Sequence, residues 1–236
     1  KNFERAFRAR DLDFRPVTGM GAGTLAEVTA RALEFLDKDE VFRSGRPVHF
    51  CGHSAGGLIA RLALAELSGR IPNGKVASLL TIATPNRGSK LAQVCIDLPA
   101  SRRSRSLRWL EALGYNLGAK SHFFKELTEE SIDLVFSNPL ENTGTRLGSI
   151  VCSAPRDKWA WPLRLLYKIH AFRDLPHESD GMVEKDSQAF GEVLAELEID
   201  HIRQIGLFGQ RPRFEKLCDI ATDFFKRLAP SEKPQL

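Results

Sequence analysis

The chain has 236 residues, of which 42% are hydrophobic and 27% are charged, and its formal net charge is +4. This length suits one large domain, and the composition is that of a globular protein that can bury a core. The charge is too small to predict a nucleic-acid partner. The longest apolar stretches, 58–65 and 76–83, are far shorter than the roughly 18–20 residues of a membrane span.

The first segment of the chain predicts an amphipathic helix over residues 1–10, with Phe3 and Phe7 one turn apart. Because the chain starts inside this helix and without Met, we expect an N-terminal part of the fold to precede Lys1. Residues 11–17 predict a short strand. The glycines that follow do not have dinucleotide-binding spacing and predict a loop.

The next segment predicts a helix, a strand, a second helix and a second strand. Thr24 and Glu27 have capping-box spacing, which predicts that a helix begins there. Residues 47–51 predict a strand ending at Gly52, 58–67 predict a helix, and 75–84 predict another strand. Two strands around a helix of this length form a βαβ unit, which indicates a parallel sheet covered by helices.

The middle of the chain loses its strand signal and predicts helices around 107–118 and 121–134. Strand character returns at 147–154, and a last helix is predicted over 213–228. We therefore predict a single domain over 1–236, with a helical lid inserted at about 89–145. A basic run in this insertion could face anionic headgroups or form a solvated surface: Arg102, Arg103, Arg105 and Arg108.

The sequence Gly52-His53-Ser54-Ala55-Gly56 matches G-x-S-x-G between a predicted strand and a predicted helix. This turn lifts the serine hydroxyl above the sheet, and we expect bulky side chains at Gly52 or Gly56 to clash with it. The N–H of Ala55 can then donate to the oxyanion of acyl transfer. The motif predicts an α/β-hydrolase fold with Ser54 as nucleophile, the alternative being a glycine-rich turn with an incidental serine.

A serine nucleophile needs a general base, which in turn needs an orienting acid. His177 and His201 are the candidate bases, and His201 is favoured because it lies in a short loop before the last helix. His53 is part of the serine turn, and its side chain is expected to point away. The remaining histidines are assigned to a strand and to helical segments: His49, His122 and His170.

The acid follows from the order of the chain, which in this fold runs serine, acid, histidine. Asp180 lies after the strand at 147–154 and before His201, so it is the predicted acid. Asp174 is an alternative. Asp200 is another, although adjacent residues rarely turn their side chains toward one another. The alternative to a catalytic role is structural: His201 would be a histidine in a surface loop, and Asp180 would be a turn residue of the Asp-Gly type.

Four blocks carry a family resemblance: VHFCGHSAGGLIAR at 48–61, TIATPNRGS at 81–89, SDGMV at 179–183, and DH at 200–201. Together they resemble the bacterial triacylglycerol lipases of the Pseudomonas and Burkholderia type and their wider esterase relatives, over roughly 10–95 and 145–210. The resemblance implies a triad of Ser54, Asp180 and His201 and a helical lid. It also implies a small-molecule or lipid ester as substrate. If the basic run faces anionic headgroups beside an apolar lid, transient contact of the lid with a lipid surface follows.

Two departures from those lipases have consequences. The lipases have a strand ending in His-Gly before the first helix, which supplies the second oxyanion donor, and here we expect that donor upstream of Lys1. They also place a calcium-binding aspartate two residues after the catalytic histidine, where this chain has Arg203. Because a cationic side chain does not bind a cation, we predict no metal, and we predict no other cofactor.

Several questions stay open at the level of sequence. A phospholipase, an amidase, an acyltransferase or a catalytically silent binding protein would fit the same scaffold, and no compartment is indicated. Trp159, Trp161 and Phe172 are candidates either for an acyl pocket or for simple packing. The four cysteines are widely spaced, so we predict free thiols.

Overall fold

The computed structural model describes residues 1–18, 23–72, 75–97, 122–136, 140, 143–168 and 178–227. Its strands are β1 (Val48–His53), β2 (Val76–Ile82), β3 (Arg146–Ser153) and β4 (Glu192–Glu198). Its helices are α1 (Asn2–Arg8), α2 (Leu25–Lys38), α3 (Glu40–Arg43), α4 (Ala55–Leu67), α5 (Lys90–Asp97), α6 (His122–Glu126), α7 (Glu129–Val135), α8 (Trp161–Leu166) and α9 (Arg211–Lys226). Single 3-10 turns lie at Arg156–Lys158, Lys185–Ser187 and Arg203–Ile205.

The four strands form one parallel sheet in the order β1-β2-β3-β4. Helices cover both faces of it. Leu79 of β2 shares a buried cluster with Leu64 of α4, whereas its neighbour Leu80 shares one with Leu217 of α9. Successive strand residues point to opposite faces, so α4 and α9 lie on opposite sides of the sheet. This arrangement confirms the predicted α/β fold with a parallel central sheet.

Most of the predicted elements are present near their expected positions. Thr24 caps α2, and its side chain and that of Glu27 form the two bonds of the capping box. The predicted strand at 11–17 is wrong, because residues 12–18 have no regular secondary structure. Phe14 there packs on Phe7, with ring centroids 5.3 Å apart, and side-chain packing holds the segment without a strand partner.

The insertion at 89–145 is described only in part. Helices α5, α6 and α7 contribute Leu91, Phe124 and Ile132 to the same buried cluster as Leu58 of α4. The single helix predicted at 121–134 is instead two short helices, because Thr128 caps α7 by accepting from Ser131 N–H. The predicted helix at 107–118 and the arginine run lie outside the described residues, so the lid stays a prediction.

Two further features concern the whole described chain. Within the described ranges, no helix combines the length and the apolar character needed to cross a bilayer. All four cysteines are in described segments and none of them forms a disulfide, as predicted, and Cys95, Cys152 and Cys218 are buried.

Candidate active site

The candidate residues follow the ends of different strands of the sheet. Ser54 comes directly after β1, Thr84 follows β2, Asp180 lies in the loop after β3, and His201 follows β4. Because the strands are parallel, their carboxyl ends meet at one edge, which is where ligands bind in open α/β sheets. The sheet therefore brings these side chains to a common edge.

Ser54 sits on a strained turn between β1 and α4. Its backbone angles are φ 55° and ψ −135°, a positive-φ conformation that costs a residue with a side chain about 1–3 kcal/mol. Three bonds hold the turn: Ser54 N–H donates to Ile82 O (2.9 Å), and Ser54 O accepts from Thr84 Oγ1 (2.8 Å) and from Gly57 N–H (3.0 Å). Ala55 is the first residue of α4, so its N–H has no acceptor within the helix.

The glycines of this turn differ in how much space surrounds the position of a Cβ atom. A Cβ at Gly52 would overlap the backbone of Gly56 and Gly57, in agreement with the steric prediction. At Gly56 the prediction of a clash is wrong, because a Cβ there meets nothing within 4 Å. The second crowded position is Gly57, whose Cβ would overlap the Thr84 side chain that bonds Ser54 O.

Asp180 is fully buried in the loop after β3, and both of its carboxylate oxygens accept hydrogen bonds. Oδ1 accepts from the N–H groups of Met182 (2.9 Å) and Val183 (2.8 Å). Oδ2 accepts from His201 Nδ1 at 2.6 Å. The loop turns through Gly181, whose φ of 94° favours glycine.

His201 is also fully buried, and it contacts Asp180 a second time through the backbone. Its N–H donates to Asp180 O at 2.9 Å. The structure thus brings together the predicted acid and the predicted base. Nδ1 of the imidazole is thus engaged by the carboxylate, which sets the orientation of the ring.

The alternative acid, Asp200, faces away from His201. Its Oδ1 accepts from the N–H groups of Ile202 (3.1 Å) and Arg203 (3.2 Å). Its Oδ2 accepts from Ala160 N–H (3.2 Å) and forms an ion pair with Arg203 Nη1 at 2.5 Å. Asp200 therefore holds the backbone around His201 and does not orient its ring.

Arg203 extends this support with its guanidinium group. Nη1 donates to Lys158 O at 2.6 Å, and Nε donates to Phe208 O at 3.1 Å. A positive charge thus lies among a carboxylate and two carbonyl oxygens beside the histidine loop. In the described part of the chain, no group of three or more His, Cys, Asp or Glu side chains could hold a metal ion.

His53 and Gln204 lie beside the Asp180–His201 pair, a placement that the sequence did not predict. His53 does not point away: its ring centroid lies 4.8 Å from that of His201, and its Nε2 is 2.8 Å from Gln204 Oε1. Gln204 Nε2 donates to Asp180 Oδ2 at 2.9 Å. Burial is the main cause that lowers the pKa of His53 to about 3, and the nearby His201 contributes to the lowering.

The TIATPNRGS block braces this edge of the sheet. Asn86 Nδ2 donates to Gln188 O (2.8 Å) and to Thr81 Oγ1 (3.2 Å). Its Oδ1 and its backbone carbonyl both accept from Arg61 Nη1 at 3.1 Å. The conspicuous motif therefore joins β2, α4 and the loop after Asp180, which is a structural role.

The candidate pocket aromatics behave differently from one another. Trp159 is buried, donates from Nε1 to Ala154 O at 2.7 Å and packs edge-on against Tyr167, so its role is packing. Trp161 is 59% exposed. The other predicted alternatives lie outside the described residues: Phe172, His170, His177 and Asp174.

No family model and no curated protein sequence matches the chain, but solved structures do. A metagenomic carboxyl esterase, MGS0156, aligns with a TM-score of 0.64 and 18% identity, covering 87% of this chain and 63% of that one. The mature lipase BlEst2 of Bacillus licheniformis aligns with a TM-score of 0.58 and 20% identity, covering 84% of this chain and 75% of that one. Phospholipase PlaB of Legionella pneumophila, in complex with thio-NAD, aligns with a TM-score of 0.55 and 16% identity, covering 93% of this chain and 53% of that one.

At these identities the likeness establishes the fold, and the chain has an α/β-hydrolase fold. The solved structures it resembles include bacterial lipases and esterases. The chain spans less than two thirds of the carboxyl esterase and of the phospholipase, and three quarters of the lipase. Activity and substrate therefore have to be argued from the site.

Proposed function

We propose that the protein is a serine hydrolase that cleaves carboxylic esters through an acyl-enzyme on Ser54. The observation that carries this proposal is the buried 2.6 Å bond between His201 Nδ1 and Asp180 Oδ2, at the sheet edge where Ser54 occupies a strained turn. A buried imidazole held by a carboxylate is the arrangement that general-base catalysis requires.

In the first step, Nε2 of His201 takes the proton of Ser54 Oγ as the oxygen attacks the ester carbonyl carbon. Asp180 holds the ring and stabilises its charged form. The carbonyl electron pair moves onto oxygen, where the N–H of Ala55 stabilises it. When the tetrahedral intermediate collapses, His201 gives its proton to the departing alcohol.

In the second step, His201 deprotonates a water molecule, which attacks the acyl carbon on Ser54. The carboxylic acid leaves, and the proton returns to Ser54 Oγ. A second oxyanion donor is expected in this fold from the loop after an earlier strand.

The substrate class is proposed from two sources. The matched structures carry esterase, lipase and phospholipase names, and the sequence resembles triacylglycerol lipases. We propose that the insertion at 89–145 covers the site and favours an acyl ester with a hydrophobic chain. Transient contact of this insertion with a lipid surface belongs to the same proposal.

The decisive experiment compares Ser54→Ala with Ser68→Ala, an exposed serine just past the opposite end of α4. The wild type and Ser68→Ala should cleave p-nitrophenyl esters and react with a fluorophosphonate probe, and Ser54→Ala should do neither. A folded wild type that ignores the probe would indicate a silent binding protein. Undiminished turnover by Ser54→Ala would reject the assignment.

A substrate series then distinguishes the enzymes that share this scaffold. Esters of increasing acyl length, phospholipids and amides are offered at equal concentration, and kcat/KM is compared. We expect the highest values for carboxylic esters. A preference for phospholipids or amides, or transfer of the acyl group to an added alcohol in place of water, would replace the ester-hydrolase assignment.

A further inference from the structure

We propose that Gln204 and His53 form a positioning relay that orients Asp180, and through it His201, toward Ser54. The inference rests on the proposed function, in which His201 and Asp180 carry the chemistry. The observation behind it is a continuous chain of hydrogen bonds, from His53 Nε2 to Gln204 Oε1 and from Gln204 Nε2 to Asp180 Oδ2.

The chemistry of the partners determines which way the Gln204 amide faces. A carboxylate oxygen only accepts hydrogen bonds, so the amide NH2 must face Asp180 Oδ2, 2.9 Å away. The reverse orientation would set the amide oxygen against the carboxylate with no proton between them. The amide oxygen therefore faces His53, and Gln204 itself is fully buried.

That orientation in turn determines the tautomer of His53. Because Gln204 Oε1 is an acceptor, His53 must carry its proton on Nε2, the nitrogen 2.8 Å from it. A neutral ring is also what the surroundings favour, since burial and His201 both disfavour a charge on His53. His53 thus serves as a neutral donor with one defined tautomer.

The relay links three pieces of backbone that must keep their spacing during the reaction. His53 immediately precedes the proposed nucleophile, Asp180 lies in the loop after β3, and Gln204 lies in the 3-10 turn after β4. Oδ2 of Asp180 accepts from Gln204 and from His201 at once, so the amide limits rotation of the carboxylate that holds the imidazole.

The relay also keeps a charge away from the place where one forms. In the proposed reaction His201 becomes an imidazolium, and the His53 ring lies only 4.8 Å from it. A second cation there would oppose protonation of His201. Holding His53 neutral leaves the Asp180 carboxylate to stabilise the imidazolium.

The test uses Gln204→Leu, with Gln188→Leu as the matched control. Gln188 is an equally buried glutamine in the segment between Asp180 and β4. Its side chain bonds the backbone of Cys152 and of Val183, and it does not bond the Asp180 carboxylate. We expect Gln204→Leu to lower kcat for a p-nitrophenyl ester about tenfold or more with little change in KM. By proton NMR, the Nδ1 proton between His201 and Asp180 should shift in Gln204→Leu and not in folded Gln188→Leu.

A double-mutant cycle tests whether the two residues act as one path. His53→Leu should lower kcat like Gln204→Leu, His53→Gln should restore much of the loss because it keeps an N–H donor, and the double variant His53→Leu/Gln204→Leu should be no worse than Gln204→Leu. Additive losses, or an unmoved Nδ1 proton in Gln204→Leu, would overturn the relay. The NMR signal needs no turnover, so it tests the relay even if the wild type proves inactive and the proposed function fails.

Discussion

His201 and Asp180 are joined twice, by a 2.6 Å bond from Nδ1 to Oδ2 and by a 2.9 Å bond from His201 N–H to Asp180 O. The backbone bond brings the two loops together, and the side-chain bond sets the ring orientation. Since both residues are fully buried, solvent does not compete for either bond. The pair is therefore held in position before any substrate arrives.

Asp180→Asn should lower kcat for ester cleavage by about 10³- to 10⁴-fold, because an amide cannot stabilise the imidazolium and can reverse the tautomer of His201. The variant should still fold, because asparagine keeps an oxygen that can accept from the N–H groups of Met182 and Val183. The measurement is steady-state kinetics on p-nitrophenyl esters, with circular dichroism as the folding check. Activity within a few-fold of wild type would show that Asp180 is not the acid.

Asp200→Asn serves as the comparison, since Asp200 was the adjacent alternative. We expect it to lower the free energy of unfolding by about 2–4 kcal/mol, because it takes one acceptor oxygen from Ala160 N–H and Arg203. Its effect on kcat at a temperature where it is folded should be far smaller than that of Asp180→Asn. The opposite ranking of the two variants would exchange their roles.

Arg203→Gln should destabilise the histidine loop, since it leaves Asp200, 1% exposed, without its cation. We expect a loss of about 2–4 kcal/mol in the free energy of unfolding, measured in urea.

Because Arg203 already supplies a positive charge among those oxygens, a chelator should leave wild-type activity and stability unchanged. A loss of either on chelation, reversed by calcium, would contradict this expectation.

The serine turn should respond differently to alanine at its three glycines. Gly52→Ala and Gly57→Ala place a methyl group on backbone and on Thr84 respectively, so both should unfold or inactivate the protein. Gly56→Ala meets open space and should keep the fold and most of the activity. Thermal melts and fluorophosphonate labelling of the three variants check this order, and a Gly56→Ala variant as damaged as the others would refute it.

His53 should make the stability of the protein depend on pH. Its pKa falls from 6.5 to about 3 on folding, so between these values the unfolded chain binds the extra proton. The contribution of His53 to stability is therefore present above pH 6.5 and is lost as the pH falls toward 3. Between pH 7 and pH 5 this group alone should cost about 2 kcal/mol.

The check is urea unfolding of the wild type and of His53→Gln, which cannot titrate, at pH 7 and pH 5. Other groups contribute equally to both proteins, so the difference between the two losses isolates His53. The wild type should lose about 2 kcal/mol more than the variant. Equal losses would mean that His53 is protonated as easily in the folded protein as in the unfolded one.

Local pattern was a sufficient guide where one segment determines its own structure. The glycine-flanked serine between an apolar strand and an apolar helix predicted the turn at Ser54, and the Thr24–Glu27 spacing predicted a helix cap that is present. Strand β4 was missed, because its sequence at Glu192–Glu198 contains three glutamates and an alanine, which are poor strand formers. Pairing with β3 decides its conformation, and that contact is not local.

The amino-acid sequence by itself determined the parallel sheet, the position of the serine turn and the order of its proposed partners, because periodicity and turn chemistry act over a few residues. Only the tertiary structure decided which carboxylate meets His201 and what Asp200, His53 and Gln204 do, since those contacts join loops up to about 150 residues apart. Whether a side chain at a strand end points into the site or away from it depends on neighbours that the chain supplies only after folding.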